Sequence, residues 1–194
     1  MSLKHKRDQE LFTAKKIELE QLIELHKSGF IDLRFADESH FGLTPNVPYA
    51  WQHFNNPILL PASKGNKLSV LGLMNPNCQL FSRTVEGSIN SDIAISIFDE
   101  FAAQIKMRTV VVLDNASIHR SKKFRAKIAE WQEQDLKIWF LPPYSPELNK
   151  IEILWRFIKY KWLNFDAFFN FQNLKERLQN LLCFVGSKYN IKFY

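Results

Sequence analysis

The sequence predicts an α/β fold, a mixed sheet with helices packed on it, and three observations carry that prediction. An alternating apolar and polar run, FIDLRFADE, opens the sheet. Short, continuously apolar and β-branched runs such as RTVVVLDN follow later in the chain. Helical periodicity fills the spaces between those later runs. Strands joined first by hairpins and then by helical crossovers give a sheet with both antiparallel and parallel pairs.

The elements follow in order. From about Arg7 to Lys27, few breakers occur and Phe12, Leu19, Leu22 and Ile23 fall at helical spacing, with Gly29 ending the pattern. Ile31, Leu33, Phe35 and Asp37 then alternate with Asp32, Arg34, Ala36 and Glu38. That is a strand, with Asp37 expected at its C-terminal end on the apolar face. The proline- and asparagine-rich stretch HFGLTPNVPYAWQHFNNP reads as turns around a short strand near Tyr49 to Phe54. Lys67–Met74 and Gln79–Val85 make two further strands, hairpin-linked by the NPN turn at 75–77. Asn90 or Ser91 caps a helix expected to reach about Lys106. RTVVVLDN is a strand buried on both faces, Ser121 to Gln134 a helix, and LKIWFLPP another buried strand. The turn PPYSPEL leads into a long helix, Leu148–Leu163, with Ser145 resembling its cap, and a last helix runs from Asn173 to Val185.

A chain of 194 residues suits one well-packed domain and is short for two. Its 46% hydrophobic and 14% aromatic content argues for a core rather than a disordered tail. The net charge of +6 is compatible with a polyanionic partner. Cys78 and Cys183 form no CxxC pair, so neither a zinc knuckle nor a disulfide framework is indicated; both are expected as buried free thiols. The charged start MSLKHKRDQE lacks a signal-peptide core, and no apolar run approaches the ~18 residues needed to span a bilayer. The expectation is a soluble, cytoplasmic protein.

Chemistry is carried by three acids. Asp37 ends the first strand, Asp114 ends VVVLD on the face of Val110 and Val112, and Glu152 lies early in the helix after the last strand. With the first and fourth strands as neighbours, two carboxylates meet at one sheet edge and the following helix brings a third. Three clustered carboxylates repel, and a cation is the usual remedy. Oxygen-only donors suit Mg²⁺ or Mn²⁺. Two such ions perform phosphoryl transfer by activating one oxygen and stabilising another. Each acid also has a plainer reading. Asp114 before Asn115 reads equally as a strand-ending turn residue, and Glu152 as an i,i+4 partner of Arg156. Glu38 points to the opposite face, and Glu147 reads as an acid complementing a helix dipole.

The blocks ADESHFGL, VVVLDNASIHRSKK and LPPYSPELNKIEILWRFIK together resemble the DDE transposases of bacterial insertion sequences related to the mariner superfamily. The spacing agrees, with positions 115–151, 37 residues, between Asp114 and Glu152. The resemblance covers about residues 30 to 165. It implies a ribonuclease H-like fold, a five-stranded mixed sheet flanked by helices, with the catalytic domain at 30–194 following the extra N-terminal helix read at 1–29. It implies a nuclease and strand transferase that cuts and joins DNA, with Asp37, Asp114 and Glu152 as ligands of two Mg²⁺ or Mn²⁺ ions. Asn115 and His119 match the family's D-N-A-x-x-H block as near-site residues without an assigned step; His119 reads equally as a surface histidine. Pro143, Tyr144, Ser145 and Pro146 match the rigid turn before the catalytic helix.

Two departures stand out. Lys150 occupies a position where the family commonly has proline. The resemblance also leads one to expect helix-turn-helix modules before the first catalytic strand, where this sequence reads as a single charged helix. The chain therefore resembles a catalytic half, either encoded apart from its DNA-reading half or left by decay. The alternative function is a remnant that binds DNA or a full-length relative. The resemblance further implies transposon-end and target DNA as partners, a homodimer, and a separate helix-turn-helix protein, acting at the nucleoid. Two basic groups follow the acids: Arg120, Lys122, Lys123, Arg125 and Lys127, then Arg156, Lys159 and Lys161. Phosphate contacts from such groups position DNA without reading its sequence, although solvated helix faces look the same. Trp155, Trp139 and Phe140 read as core.

Overall fold

Strand β1 (Asp32–Gly42) organises the molecule by pairing antiparallel with β2 (Lys67–Met74) and parallel with β4 (Thr109–Leu113). Strand β3 (Leu80–Glu86) continues the antiparallel side and β5 (Leu136–Phe140) the parallel side, giving a five-stranded sheet of order β3-β2-β1-β4-β5. The computed structural model describes residues 7–46, 55 and 66–191. The short strand expected near Tyr49 to Phe54 lies outside the described residues. The hairpin between β2 and β3 turns at Asn75–Gln79, where the Asn75 side chain accepts from the Asn77 and Gln79 N–H groups.

Helices cover both faces. Against one lie α1 (Gln9–Lys27), α4 (Ile151–Phe157) and α5 (Phe171–Cys183), burying Leu33, Phe35, Val110 and Val112. Against the other lie α2 (Ser91–Ala102) and α3 (Lys122–Glu133), whose Phe98, Phe124 and Trp131 rings pack on Leu71, Val111 and Leu113. All five β4 residues are buried, which is why that strand reads as a continuous apolar run. Asp8, Asn90, Ser121 and Asn170 cap α1, α2, α3 and α5 through side-chain oxygens that accept first-turn N–H groups.

Several boundaries differ from the sequence expectation. β1 does not stop near Asp37: residues Glu38 to Gly42 stay paired with Leu71 to Lys67, so Asp37 sits mid-strand. α2 ends at Ala102 rather than Lys106, since Gln104 N–H closes a turn on the Phe101 carbonyl and the chain heads back to β4. α5 starts at Phe171 because Asn170, not a later residue, supplies the cap, and it ends at Cys183. Cys78 is buried and its Sγ donates to the Ile191 carbonyl, whereas Cys183 is exposed, contrary to the expected pair of buried thiols. Among the described residues no helix is long and apolar enough to cross a membrane.

The long helix expected over Leu148–Leu163 is three pieces. Pro146–Leu148 form a 3₁₀ turn, Ile151–Phe157 an α-helix, and Ile158–Trp162 a π turn. Ser145 does not cap it; its hydroxyl donates to the Pro143 carbonyl at 3.2 Å. The break falls at Asn149, extended at φ −87° and ψ 96°, whose side chain crosses to the β1 backbone and donates to the Ala36 carbonyl at 2.9 Å. Lys150 follows at φ −62° and ψ −24°. That is the dihedral a proline ring imposes, and the residue before it is extended, as proline requires. Lys150→Pro is therefore expected to stabilise the fold by about 0.4–1 kcal/mol, through a less flexible unfolded chain. A higher urea midpoint at unchanged slope is the measurement; a lower midpoint would refute it.

Candidate active site

The parallel register fixes the first two acids. Leu33 pairs with Val110 and Phe35 with Val112, so Asp37 and Asp114 each stand two residues beyond the last pair, level at the same edge. Glu152 enters from the first turn of α4. Asp37, Asp114 and Glu152 line one cleft of about 640 Å³, walled by Leu141 to Pro146 and shared with Asn115, Arg120 and Asn149. Tyr144 holds a left-handed backbone, φ 58°, on that wall and is 44% exposed, so its ring stands at the mouth of the cleft.

The three carboxyls have different environments. Burial, aided by repulsion from Asp114 and Glu152, pushes Asp37 up to about 7, against the backbone N–H and the Trp155 indole that hold its charge. The indole Nε1 donates to Asp37 Oδ2 at 3.1 Å. Trp155, which reads in the sequence as core, is both core and a direct partner of the buried acid. Its ring has room because Gly72, the residue of β2 paired with Asp37, has no side chain: a Cβ there would stand 2.8 Å from Trp155 Cη2. Glu152 is raised by burial and by repulsion from Asp114 and Glu147, with Arg156 opposing. Burial also works to raise Asp114, but hydrogen bonds from His119 and the Ala116 N–H outweigh it and hold the group below the ordinary carboxylate value.

Near-site residues fall on both sides of this edge. Asn115 donates from Nδ2 to the Leu141 carbonyl at 2.5 Å, tying the end of β4 to the cleft wall. His119 is not a surface histidine: it is 2% exposed, with Nδ1 2.9 Å from Asp114 Oδ1. Glu38 lies behind it, its Oε1 4.0 Å from His119 Nε2. Glu147 is bonded by Arg7 Nη1 at 2.5 Å and stays outside the cleft lining. Asn149, which no sequence signal singled out, is buried in the lining. Its signal is available only in three dimensions, since the bond to Ala36 joins residues distant in sequence.

The basic residues divide. Arg120 is exposed on the cleft lining, and Lys122 and Arg125 are exposed on α3. Lys123 is held by Asp92 at 2.9 Å, and Lys127 by Glu130 at 2.6 Å and Asp99 at 3.1 Å. Arg156 and Lys161 border a second groove of about 760 Å³ with Ile153, Phe157 and Tyr160. Lys159 is half-buried over the Phe41 ring; burial lowers its pKa while Asp37 opposes the shift.

Carboxylate oxygens at one edge are the donor set hard divalent cations take, and mutual repulsion is what a cation relieves. Among the described residues, no three His, Cys, Asp or Glu side chains gather into a ready-made metal cage. The acids face a common cleft without closing on one point.

A mixed sheet in this order, covered by helices on both faces, defines a ribonuclease H-like domain, the fold that the motifs implied. Residues 32–175 match the DDE superfamily endonuclease family, and the chain belongs to that family. The structure is similar to the Mos1 transposase paired-end complex with left transposon end, at TM-score 0.61 and 15% identity over 91% of this chain and 55% of that one. It is also similar to the mariner Mos1 paired end complex with Mg, at TM-score 0.61 and 13% identity over 94% and 57% of the two chains. A simian T-cell lymphotropic virus intasome in complex with PP2A regulatory subunit B56 gamma aligns at TM-score 0.54 and 12% identity over 84% and 50%. In sequence, an uncharacterised protein of Sinorhizobium fredii, y4pE/y4sA, is 32% identical over 65 residues, 34% of this chain and 44% of the relative. The chain thus spans about half the length of the proteins it matches.

The raised Asp37 has a consequence for stability. Its folded pKa of about 7 exceeds the ordinary aspartate value of 3.8, so its contribution is fully present below about 4 and lost as pH rises through 7. One pKa unit is worth about 1.4 kcal/mol, so the loss is on the order of a few kcal/mol. Asp37→Asn, which cannot ionise, is expected to melt higher than the native chain at pH 8 and no higher at pH 4. Melting curves across that range test this; a gain independent of pH would contradict the buried-charge account.

Proposed function

We propose that this chain is the catalytic domain of a DNA transposase, cutting and joining DNA strands by metal-dependent phosphoryl transfer. The observation that carries the reading is the single cleft lined by Asp37, Asp114 and Glu152 from β1, β4 and α4, with Asp114 raising the pKa of both other acids. The three carboxylates would hold Mg²⁺ or Mn²⁺, two ions by the family resemblance. Similarity to a Mos1 complex described with Mg supports that choice. Bound there, the cations would activate a water or 3′-hydroxyl and stabilise the leaving oxygen of a phosphodiester.

The chain's own residues supply the rest. Trp155 fixes Asp37 Oδ2, and Asn149 ties the start of the catalytic helix to β1 beside Asp37. Pro142 to Pro146, with three prolines that fix the backbone, form one wall of the cleft. Arg120, Arg156 and Lys159, with Lys122 and Arg125 on α3, supply positive charge for the DNA backbone. Transposon-end and target DNA, a second copy of the chain and a separately encoded helix-turn-helix partner belong to the same proposal.

Divalent-metal-dependent nicking of supercoiled plasmid is the direct test. Asp37→Asn, Asp114→Asn and Glu152→Gln are each expected to abolish nicking while retaining the native circular dichroism spectrum. Retained nicking in any one removes that residue from the assignment, and loss of none removes the function. For the DNA path, Arg120→Ala is expected to weaken binding uniformly across sequences and to lower the salt slope by about 1. Lys123→Ala should change the slope less, because Asp92 already neutralises Lys123. Equal slopes for the two variants, read by fluorescence anisotropy against salt, would place the DNA elsewhere.

A further inference from the structure

We infer that His119, with Glu38 behind it, is the positioning residue that sets which oxygen of Asp114 faces the cleft. The inference rests on the proposed role of Asp114 as a metal ligand. Asp114 Oδ1 takes two hydrogen bonds, from the Ala116 N–H at 3.0 Å and from His119 Nδ1 at 2.9 Å. A carboxylate only accepts, so Nδ1 is the protonated nitrogen of the ring. With Oδ1 committed, Oδ2 takes no hydrogen bond among the described residues and is the oxygen left for the cleft.

The ring is held by the turn that carries it and by its aromatic neighbour. Ala116 to Arg120 form a tight turn in which the His119 and Arg120 N–H groups both bond the Ala116 carbonyl. Ser91 Oγ anchors that turn by donating to the Ile118 carbonyl at 3.2 Å, and the Phe124 ring packs 5.2 Å from the imidazole centre. On the far side, His119 Nε2 and Glu38 Oε1 are both buried without a hydrogen-bond partner among the described residues, and they face one another at 4.0 Å. Two orphaned polar atoms are costly in an apolar setting; at 4.0 Å they make no hydrogen bond, and they attract only when Nε2 also carries a proton. Glu38 leaves β1 on the side opposite its neighbour Asp37. One strand therefore presents an acid to the cleft, and the next acid stands behind the ring that aims Asp114. Ligating carboxylates are generally hydrogen-bonded by outer partners that orient them in this way.

The test replaces His119 by two side chains that differ only in the donor toward Asp114. Asparagine places an amide N–H close to the Nδ1 position, and leucine fills similar space without a donor. Mn²⁺ affinity of the full chain is measured by calorimetry for the native protein, H119L, H119N and Asp114→Asn, with melting temperatures recorded alongside. H119L is expected to weaken Mn²⁺ binding about 10- to 100-fold, and H119N to recover most of that loss. Glu38→Leu should weaken binding in the same direction by less. Native affinity in H119L, or equal weakening in H119L and H119N, would overturn the inference. If Asp114→Asn binds Mn²⁺ as tightly as the native chain, the ligand assignment fails instead. Crystal structures of H119L and H119N then decide the positioning alone: an Asp114 carboxylate turned in the first and held in the second supports it, and one orientation in both refutes it.

Discussion

The parallel pairing of β1 with β4 is the constraint on which the site depends. Parallel strands bring equivalent ends together, so acids two residues past the last pair on each strand arrive level at one edge. The pairing is specified because both faces of β4 are buried and a one-residue slip would turn its entire apolar set around. What secures the register is thus ordinary packing of Val110, Val111, Val112 and Leu113 between two helical layers. The acids contribute nothing to it; Asp37, raised to about 7, works against folding at neutral pH. The site carries an electrostatic strain that the surrounding core absorbs.

The strain is distributed unevenly. Asp114 has two donors on one oxygen and is held ionised, whereas Asp37 lies deeper with the Trp155 indole and the Glu38 N–H as donors. Glu152, on a helix rather than a strand, is raised by burial and its acidic neighbours, and Arg156 one turn later opposes this only in part. A cleft with one firmly charged acid and two reluctant ones favours a cation over a neutral ligand. It does so without a closed cage among the described residues.

Much of this was legible in the chain because it depends on period and strand end. The alternation through Asp37 and the apolar run before Asp114 placed both acids, and the mixture of antiparallel and parallel pairing followed from hairpins and crossovers, the number of five strands coming from the family resemblance. What was not legible depends on contacts between distant segments. β1 extends past Asp37 because β2 is there to pair with it, which no local pattern announces. The expected helix at Leu148–Leu163 breaks at Asn149 because a side chain finds the Ala36 carbonyl across the fold, overriding good helical propensity. His119 was balanced between surface and site because burial cannot be read from one imidazole in a polar turn. Trp155 passed as core, since a buried indole shows its hydrogen-bond partner only in three dimensions.

Gly72 gives β2, which bears no acid in the cleft, authority over it. The glycine and the indole of Trp155 occupy complementary space beside Asp37, with a missing methyl on one strand accommodating a large ring from the helix. Volume at these two positions is therefore exchanged rather than free. A side chain at 72 is admissible only where 155 is smaller, and a smaller 155 surrenders the donor to Asp37. Drift in an element remote from the acids is thereby coupled to the chemistry, and the pair should evolve as one unit.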